Sequence, residues 1–308
     1  MKVLLIAEES AGIQTLRSLG RSGHRIVAVM TSASQKSARG ASLWEVANAM
    51  GCPLWPVDLV RDAGLATKVR AEEVDIILNV HSLFLIHGEV LTSPRIGSFN
   101  LHPGPLPEYA GLNAVSWAIY RGERSHAVTL HWMLPRIDAG AIAFKSVFDI
   151  NEDDTAFSLS AKCVRLGIPL ILQLLAVSSE NPRAIPAIQQ DLTKRKYYGK
   201  QVPQEGRLRW GSSAREVIDF VRASCYYPLP SPWGHPKARM DGREIGIIKV
   251  LRTKERSDKA PGTIGEALRE GVRVATGDEW VEVTLLRDGE RYLEAREVLR
   301  PGQQLLDG

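Results

Sequence analysis

Short apolar runs alternate with helical segments along the first 100 residues, and this alternation limits the possible folds more than any other feature. Residues 3–7 form an uninterrupted apolar run, which is typical of a strand covered on both faces, and residues 10–18 follow with Ile13 and Leu16 at helical spacing. The same patterns predict strands at 25–31 and 75–80 and helices at 42–50 and 65–72. Alternating strands and helices predict an α/β fold with a parallel, doubly wound sheet.

The second part of the chain follows a different pattern. After a predicted helix at 155–177, a stretch rich in proline and charged residues leads to a helix at 213–224. Strands separated by turns that contain glycine and aspartate are then predicted at 245–251, 271–275, 280–286 and 292–298. Because 308 residues exceed the usual size of one domain, we predict a Rossmann-like domain at 1–190, a linker at 191–206 and a small, mainly β barrel or sandwich at 207–308.

Composition limits the classes of partner. Lys and Arg total 39 against 35 Asp and Glu, and the resulting net charge of +4 indicates an anionic partner only weakly. In residues 207–308 the acidic residues nearly match the basic ones, so nucleic-acid binding is not required. The basic run Lys194-Arg195-Lys196 is expected to be an ordinary solvated surface.

The cysteines and the first residues indicate the compartment. Cys52, Cys163 and Cys225 are odd in number and far apart, which favours free thiols in a reducing environment. Glu8 and Glu9 follow the first apolar run at once, which is wrong for a signal peptide, and no apolar stretch approaches the about 20 residues of a membrane span. We therefore predict a soluble, cytoplasmic protein with no membrane partner.

The turn after the first strand argues against a dinucleotide cofactor. Residues 7–12 contain one glycine, Gly12, and two acids, Glu8 and Glu9, which would repel a pyrophosphate. We therefore predict no nicotinamide or flavin site, and no Walker loop, HExxH or GxSxG motif occurs in the sequence. The histidines lack the tight spacing of metal ligands, so no metal site is predicted.

The densest chemical signal lies in residues 97–111. Asn100 and His102 are two residues apart on a predicted strand, so they project from the same side, and the proline-rich residues 103–107 form a loop beyond the strand's carboxyl end. Ligands of open α/β sheets bind at that end. Asp138 follows another predicted strand at 127–133 and can reach the imidazole only through the fold.

An Asn, His and Asp trio without a Ser or Cys nucleophile suits direct acyl transfer to an external nucleophile. Asn100 would donate to a developing oxyanion, and His102, oriented by Asp138, would handle the proton. Spacing alone leaves open a purely structural hydrogen-bonding pair at the end of a strand.

Four segments resemble the 10-formyltetrahydrofolate-dependent formyltransferases. They are Asn100-Leu101-His102-Pro103, Leu106-Pro107-x-Tyr109-x-Gly111, Val128-Thr129-Leu130-His131 and Asp138-Ala139-Gly140-Ala141-Ile142. The resemblance continues through residues 207–308, which look like the OB-like C-terminal barrel shared by methionyl-tRNA and aminoarabinose formyltransferases. A formyltransferase domain followed by such a barrel is the fold that the resemblance implies.

The resemblance also implies roles for individual residues. Asn100, His102 and Asp138 would be catalytic, and no metal would be needed. 10-Formyltetrahydrofolate would be the formyl donor, held by Leu83, Phe84, Leu85, Ile86, Ile137 and Asp138. The amine acceptor would be bound by Pro103, Gly104, Tyr109 and Gly111. The alternative for residues 83–86 is that these side chains belong to the core.

Departures from the family pattern bear on the acceptor. Gly104-Pro105-Leu106-Pro107 replaces Ser-Leu-Leu-Pro, and Ala110 stands where the family has an arginine between Tyr109 and Gly111. The segment 32–43 is short where methionyl-tRNA formyltransferases carry a longer basic insertion, and its cations are Lys36 and Arg39. These features disfavour tRNA as the acceptor and also weaken the case for a nucleotide sugar, whereas residues 198–203 are similar to the aminoarabinose enzyme.

We therefore predict an N-formyltransferase that acts on a primary amine of a small biosynthetic metabolite, either an amino-sugar nucleotide or an amino-acid-like molecule. The alternatives are methionyl-tRNA formyltransferase and a formyltetrahydrofolate hydrolase, and a folate-binding or tRNA-binding module without activity is a further class. The sequence leaves both a monomer and a homodimer open.

Overall fold

The computed structural model describes residues 1–32 and 40–308. The chain forms two compact units whose segments interleave along the sequence. The first unit consists of Met1–Gly111, His126–Phe148 and Ala161–Tyr197. The second consists of Leu112–Ser125, Asp149–Ser160 and Tyr198–Gly308. The linear boundaries 1–190, 191–206 and 207–308 stay a prediction.

Helices and strands alternate along the first two thirds of the chain, and mainly strands follow. The elements up to residue 198 are β1 (Lys2–Ala7), α1 (Glu9–Gly20), β2 (Arg25–Thr31), α2 (Leu43–Ala49), β3 (Leu54–Pro56), α3 (Leu65–Ala71), β4 (Ile76–Val80), α4 (Gly88–Leu91), β5 (Gly97–His102), β6 (Ala110–Gly111), α5 (Ala114–Tyr120), β7 (Ser125–Trp132), β8 (Ile142–Asp149), α6 (Ala156–Glu180) and β9 (Tyr197–Tyr198). The later ones are α7 (Ala214–Ala223), β10 (Lys237–Met240), β11 (Arg243–Arg256), β12 (Ile264–Ala267), β13 (Val272–Ala275), β14 (Glu279–Asp288), β15 (Arg291–Glu294), α8 (Ala295–Val298) and β16 (Leu306–Asp307).

The sheet of the first unit has the strand order β3-β2-β1-β4-β5-β7-β8. Strands β1 to β5 pair in parallel, as the alternating sequence pattern predicts, and the α/β fold class is confirmed. The sheet is not wholly parallel, because β7 runs antiparallel to β5. The reversed direction of β7 places His131 beside Asn100 and Thr129 beside His102, which decides which side chains meet at the end of β5.

The centre of this sheet is apolar on both faces. Leu4 and Ile6 of β1 and Ile77 of β4 are fully buried in one hydrophobic cluster, and Leu5 and Leu78 are fully buried on the opposite face. Parallel strands flanked by helices lose contact with water on both sides. Helix α6 packs closely on β5, where a Cβ at Gly167 would lie 2.7 Å from Cδ2 of Leu101. Strand β5 is therefore held rigidly up to the residues that carry the candidate chemistry.

Helix α6 is 25 residues long and, by length and composition alone, apolar enough to cross a membrane. The expectation that no segment approaches the length of a membrane span is therefore wrong for this helix. Leu159, Cys163, Leu174 and Leu175 on it are nevertheless buried within the protein. Core helices of soluble α/β proteins meet the same criteria, so this single helix does not indicate a membrane protein.

The second unit contains an antiparallel sheet of order β12-β13-β14-β11-β10-β16, with β15 also paired to β14. This arrangement confirms the small, mainly β fold expected for the C-terminal part. Helix α7 begins at a capping box between Ser213 and Glu216 and buries Val217 and Phe220. The strand predicted at 292–298 ends at Glu294 instead, because the helix-forming residues Ala295–Val298 make a short helix.

The central strand gives a direct test of the core. Leu78 is fully buried on β4, so Leu78→Ala should lower the free energy of unfolding by about 2–5 kcal/mol, measured by urea denaturation. Leu172→Ala is the matched control, because that leucine is 38% exposed on α6 and should lose less. Equal losses in the two variants would contradict the described burial.

Candidate active site

Three polar side chains lie in a row across neighbouring strands of the first unit. The parallel register of β4 and β5 places Asn79 beside Asn100, and the antiparallel register of β5 and β7 places Asn100 beside His131. Nδ2 of Asn79 donates to Oδ1 of Asn100 at 2.9 Å. The row lies toward the carboxyl ends of β4 and β5, the edge at which α/β sheets bind ligands.

The amide of Asn100 has both of its N–H groups directed at site residues. Its Nδ2 lies 3.1 Å from Nε2 of His131 and 3.3 Å from Oδ1 of Asp138. Nδ1 of His131 donates to the carbonyl oxygen of Trp132 at 2.8 Å, so in the neutral ring Nε2 is the acceptor for Asn100. When the ring is protonated, Nε2 donates instead to Asp138, which is 3.4 Å away.

His102 lies on the same face of β5, two residues after Asn100, and is 3% exposed. Its Nε2 is 2.6 Å from the carbonyl oxygen of Tyr109, which can only accept, so Nε2 carries a proton. Its Nδ1 is 3.6 Å from Oδ2 of Asp138. Both ring nitrogens of His102 therefore face oxygen atoms that can accept a hydrogen bond.

Asp138 joins these side chains from the turn that follows β7. Its backbone is left-handed, with φ at 51°, and Oδ2 accepts a 2.8 Å hydrogen bond from the N–H of Gly111. Burial by itself raises the pKa of this carboxyl, but the charge at His102, the hydrogen bond and charge of His131 and the Gly111 N–H lower it by more. The pKa of Asp138 therefore lies well below its usual range, and the group is a carboxylate at neutral pH.

The turn itself depends on a small residue. A Cβ at Gly140 would overlap the carbonyl oxygen of Trp132, so only glycine allows the turn to approach β7 this closely. The structure thus brings together Asn100, His102 and Asp138, the three residues predicted to be catalytic. Their catalytic role remains a prediction.

The loop after β5 is anchored by side chains of β7. The carbonyl oxygen of Pro103 accepts from Nε2 of His126 at 2.9 Å, and that of Gly104 accepts from Oγ1 of Thr129 at 2.8 Å. Four residues predicted to bind the acceptor lie on this loop, namely Pro103, Gly104, Tyr109 and Gly111. Their main-chain groups hold the site together, and their contact with an acceptor stays a prediction.

Residues 83–86, predicted to hold the donor, separate into two pairs. Phe84 and Ile86 pack against the hydrophobic cluster of the sheet, whereas Leu83 and Leu85 are 79% and 66% exposed. The alternative that all four are core residues is therefore wrong for the two leucines. Ile137, beside Asp138 in the other loop, is 38% exposed.

Several site residues were not identified from the sequence. Asn79 hydrogen-bonds to Asn100, and its signal was a single amide within an otherwise apolar strand. His126 and Thr129 hold the loop after β5, but their partners are backbone carbonyls, which a sequence pattern does not reveal. Gln190, far along the chain, donates to the main chain of the Asp138 turn, and no local pattern indicates it.

The turn after β1 carries a buried negative charge. The Glu8 carboxylate accepts hydrogen bonds from Oγ1 of Thr31 at 3.1 Å and from both N and Oγ of Ser32 at 2.8 Å. It thus ties the first strand to the end of β2.

Two predictions concern partners and metals. Lys36 and Arg39, the two cations of the short segment that disfavours tRNA, lie within residues 33–39, outside the described residues. Among the residues that are described, no three His, Cys, Asp or Glu side chains cluster as metal ligands.

His126 provides a test of the site's electrostatics. It is almost wholly buried and its Nδ1 has no partner among the described residues, and burial lowers its pKa to about 4. Because the unfolded chain binds this proton near pH 6.5, stability should be full above that pH and should fall between pH 6.5 and 4, by about 3 kcal/mol for this group.

Urea denaturation across this pH range measures the loss. His126→Gln keeps an N–H for the Pro103 carbonyl but does not titrate, so its stability should depend less on pH than that of the wild type. Equal pH dependence in both proteins would contradict a buried, neutral His126.

Comparisons with known proteins agree with the fold and the site motif. The formyl transferase family matches residues 1–175, and the formyl transferase C-terminal domain family matches residues 200–301. Among solved structures, the N-formyltransferase of Helicobacter canadensis, in complex with folinic acid and dTDP-3-aminofucose, has a TM-score of 0.68 at 18% identity, covering 92% of this chain and 98% of that one. WlaRD, a sugar 3N-formyl transferase solved in the presence of dTDP and 5-N-formyl-THF, has a TM-score of 0.71 at 16% identity, covering 94% and 98%.

A further similar structure is HypX from Aquifex aeolicus in complex with tetrahydrofolic acid, with a TM-score of 0.68 at 22% identity. The match covers 97% of this chain but 47% of HypX, so this chain spans about half the length of that protein. At these identities the structural likeness shows the fold alone. The family match covers more than half of the sequence and includes Asn100, His102 and Asp138, so the chain belongs to the formyl transferase family.

Proposed function

We propose that this enzyme transfers the formyl group of 10-formyltetrahydrofolate to a primary amine of a small metabolite, an amino-sugar nucleotide or an amino-acid-like acceptor. The observation that carries the proposal is the group formed by Asn100, His102 and Asp138 at the carboxyl end of β5. Amide, imidazole and carboxylate are each within 3.6 Å of another member of this group. No serine or cysteine nucleophile is part of it, which suits direct attack by the acceptor amine.

The similar structures support the choice of donor and acceptor. Those of the Helicobacter canadensis enzyme and of WlaRD hold or were obtained with folate compounds and dTDP or a dTDP-aminosugar. A folate donor and a small amine acceptor therefore suit a chain with the same fold along most of its length.

The described surface fits a folate donor beside the site. Leu83 and Leu85 expose apolar side chains just after β4, and Ile137 does so next to Asp138. Large apolar side chains gain free energy when a flat ring system covers them, at about 25 cal/mol per Å² of apolar surface removed from water. We assign these three side chains to the pterin ring of the donor.

The donor supplies a formyl group on N10, which the acceptor amine attacks. Asn100 and His102 stabilise the negative charge that develops on the formyl oxygen, because amide and imidazole N–H groups are donors fixed in place before the reaction. In the present geometry these donors face Asp138, His131 and the Tyr109 carbonyl. The formyl oxygen must replace one of these contacts, and the 3.3 Å bond from Asn100 to Asp138 is the longest hydrogen bond among them.

The His102 and Asp138 pair handles the proton. The amine loses one proton as its new C–N bond forms, and the leaving N10 gains one proton as the old C–N bond breaks. Asp138 remains ionised because its neighbours hold its pKa well below the usual range, so it stabilises positive charge at His102 while the proton passes.

Substitution of the three residues tests this assignment. Asn100→Ala, His102→Ala and Asp138→Asn should each lower kcat by about 100-fold or more, because each removes a donor or a charge that acts in the transition state. The rate is measured as tetrahydrofolate released, and circular dichroism checks the fold. His24→Ala is the matched control, because His24 lies near the N-terminal amine, outside the site. Near-normal turnover in His102→Ala would overturn the mechanism.

A panel of acceptors tests the substrate class. Tetrahydrofolate release is followed with no acceptor, with several amino-sugar nucleotides, with amino acids or their carrier-bound thioesters, and with charged methionyl-tRNA. We expect turnover with a small amine only. Turnover with the tRNA only would identify a methionyl-tRNA formyltransferase, and turnover without an acceptor would identify a hydrolase.

We further propose that the enzyme works in the cytoplasm. Cys52, Cys163 and Cys225 are all free thiols, as expected in a reducing compartment.

A further inference from the structure

The turn that carries Asp138 needs support from outside itself. A non-glycine residue with φ at 51° is in a sparsely populated conformation that persists only where neighbouring contacts enforce it. The carboxylate must also keep its distances to Asn100, His102 and the Gly111 N–H. The main-chain carbonyl oxygens of residues 137, 138 and 140 accept hydrogen bonds from side chains of one distant segment of the chain.

Gln190 is the centre of that segment. Its Nε2 donates to the carbonyl oxygen of Asp138 at 3.0 Å and to that of Gly140 at 2.6 Å. Carbonyl oxygens only accept, so the orientation of this amide is fixed and both of its N–H groups are used. A single side chain thus holds the turn on both sides of Ala139.

Arg195 adds a third contact. Its guanidinium donates to the carbonyl oxygen of Ile137 at 2.9 Å and lies over the ring of Tyr197 at 5.1 Å. The side chain of the neighbouring Lys194 is 67% exposed and forms an ion pair with Asp191. The basic run at 194–196 is therefore more than a solvated surface, because its middle residue is bonded to the turn beside the site.

The same segment also holds the second loop of the site. The N–H of Ala110 donates to the carbonyl oxygen of Lys196 at 3.0 Å, and the N–H of Lys196 donates to that of Pro107 at 3.3 Å. The loop fixed in this way contains the Tyr109 carbonyl, which accepts from His102, and the Gly111 N–H, which donates to Asp138. Residues 190–196 thus tie together the two loops that face each other across the His102 and Asp138 pair.

We propose that residues 190–196 form a strap that sets the position of the Asp138 carboxylate, with Gln190 as its main positioning residue. This inference rests on the proposed function and extends it. Both N–H groups of Gln190 are bonded to main-chain carbonyls of the Asp138 turn. Its loss should therefore misplace the carboxylate by a fraction of an ångström and affect turnover more than substrate binding.

The test compares two adjacent glutamines. Gln190→Leu removes both donors at similar size, whereas Gln189→Leu changes an exposed residue that has no hydrogen bond to residues 1–32 or 40–308. We expect Gln190→Leu to lower kcat by about 10-fold to 100-fold, with KM for the formyl donor changed by less than about threefold. Gln189→Leu should behave as the wild type.

A spectroscopic measurement separates positioning from stability alone. The imidazole ¹⁵N shifts of His102 and His131 report their contacts with Asp138, and we expect them to move in Gln190→Leu but not in Gln189→Leu. Normal kcat and unchanged shifts in a folded Gln190→Leu protein would overturn the proposal. A fall in thermal stability without a change in kcat would do so as well.

Two further outcomes keep the strap distinct from the proposed function. If the wild type shows no turnover with any acceptor of the panel, the proposed function fails. The imidazole shifts alone then decide whether the strap positions Asp138. If Gln190→Leu does not fold, Arg195→Leu is measured in the same way, because that side chain is only half-buried. Moved shifts and a lower kcat in Arg195→Leu support the strap, and wild-type values of both contradict it.

Discussion

The Asp138 carboxylate is a negative charge held almost out of water, and the site of the first unit is arranged to stabilise it. An isolated buried ion costs several kcal/mol, which is recovered only when hydrogen bonds and opposite charge surround it. Here Asn100, the Gly111 N–H and two imidazoles supply these contacts. The Asp138 carboxylate therefore stays ionised, and its contacts fix the orientations of Asn100 and the imidazoles at the carboxyl end of β5.

The buried histidines of the site have different roles because their surroundings differ. His102 has both ring nitrogens facing oxygen acceptors, one of them the Asp138 carboxylate. His126 is equally buried, but it has one acceptor, and its Nδ1 has no partner in the part of the chain that the structure describes. Burial therefore lowers its pKa to about 4, and it acts as a neutral donor to the loop. One residue type thus provides both a partner for the Asp138 carboxylate and a structural donor to the loop after β5.

Much of the fold follows from local pattern. The apolar runs of β1 and β4 and the helical spacing of α1 and α6 identify these elements correctly, because burial on both faces leaves a continuous apolar run and burial on one side leaves a helical stripe. The end of β15 was missed, because the good helix formers Ala295, Arg296 and Glu297 begin a short helix directly after Glu294. The antiparallel direction of β7 was also missed, since a strand's sequence does not record the direction of its neighbour.

The sequence by itself determined the chemical groups of this formyltransferase, which are an amide, an imidazole and a carboxylate, and it placed Asn100 and His102 on one face of a strand through the two-residue period of β structure. Only the tertiary structure decided their partners. His131 meets Asn100 because β7 runs antiparallel to β5. Gln190 meets Asp138 across about 50 residues of chain, and its hydrogen bond goes to the main-chain carbonyl of Asp138. Every residue carries such a carbonyl, so no side-chain pattern could have identified the pair.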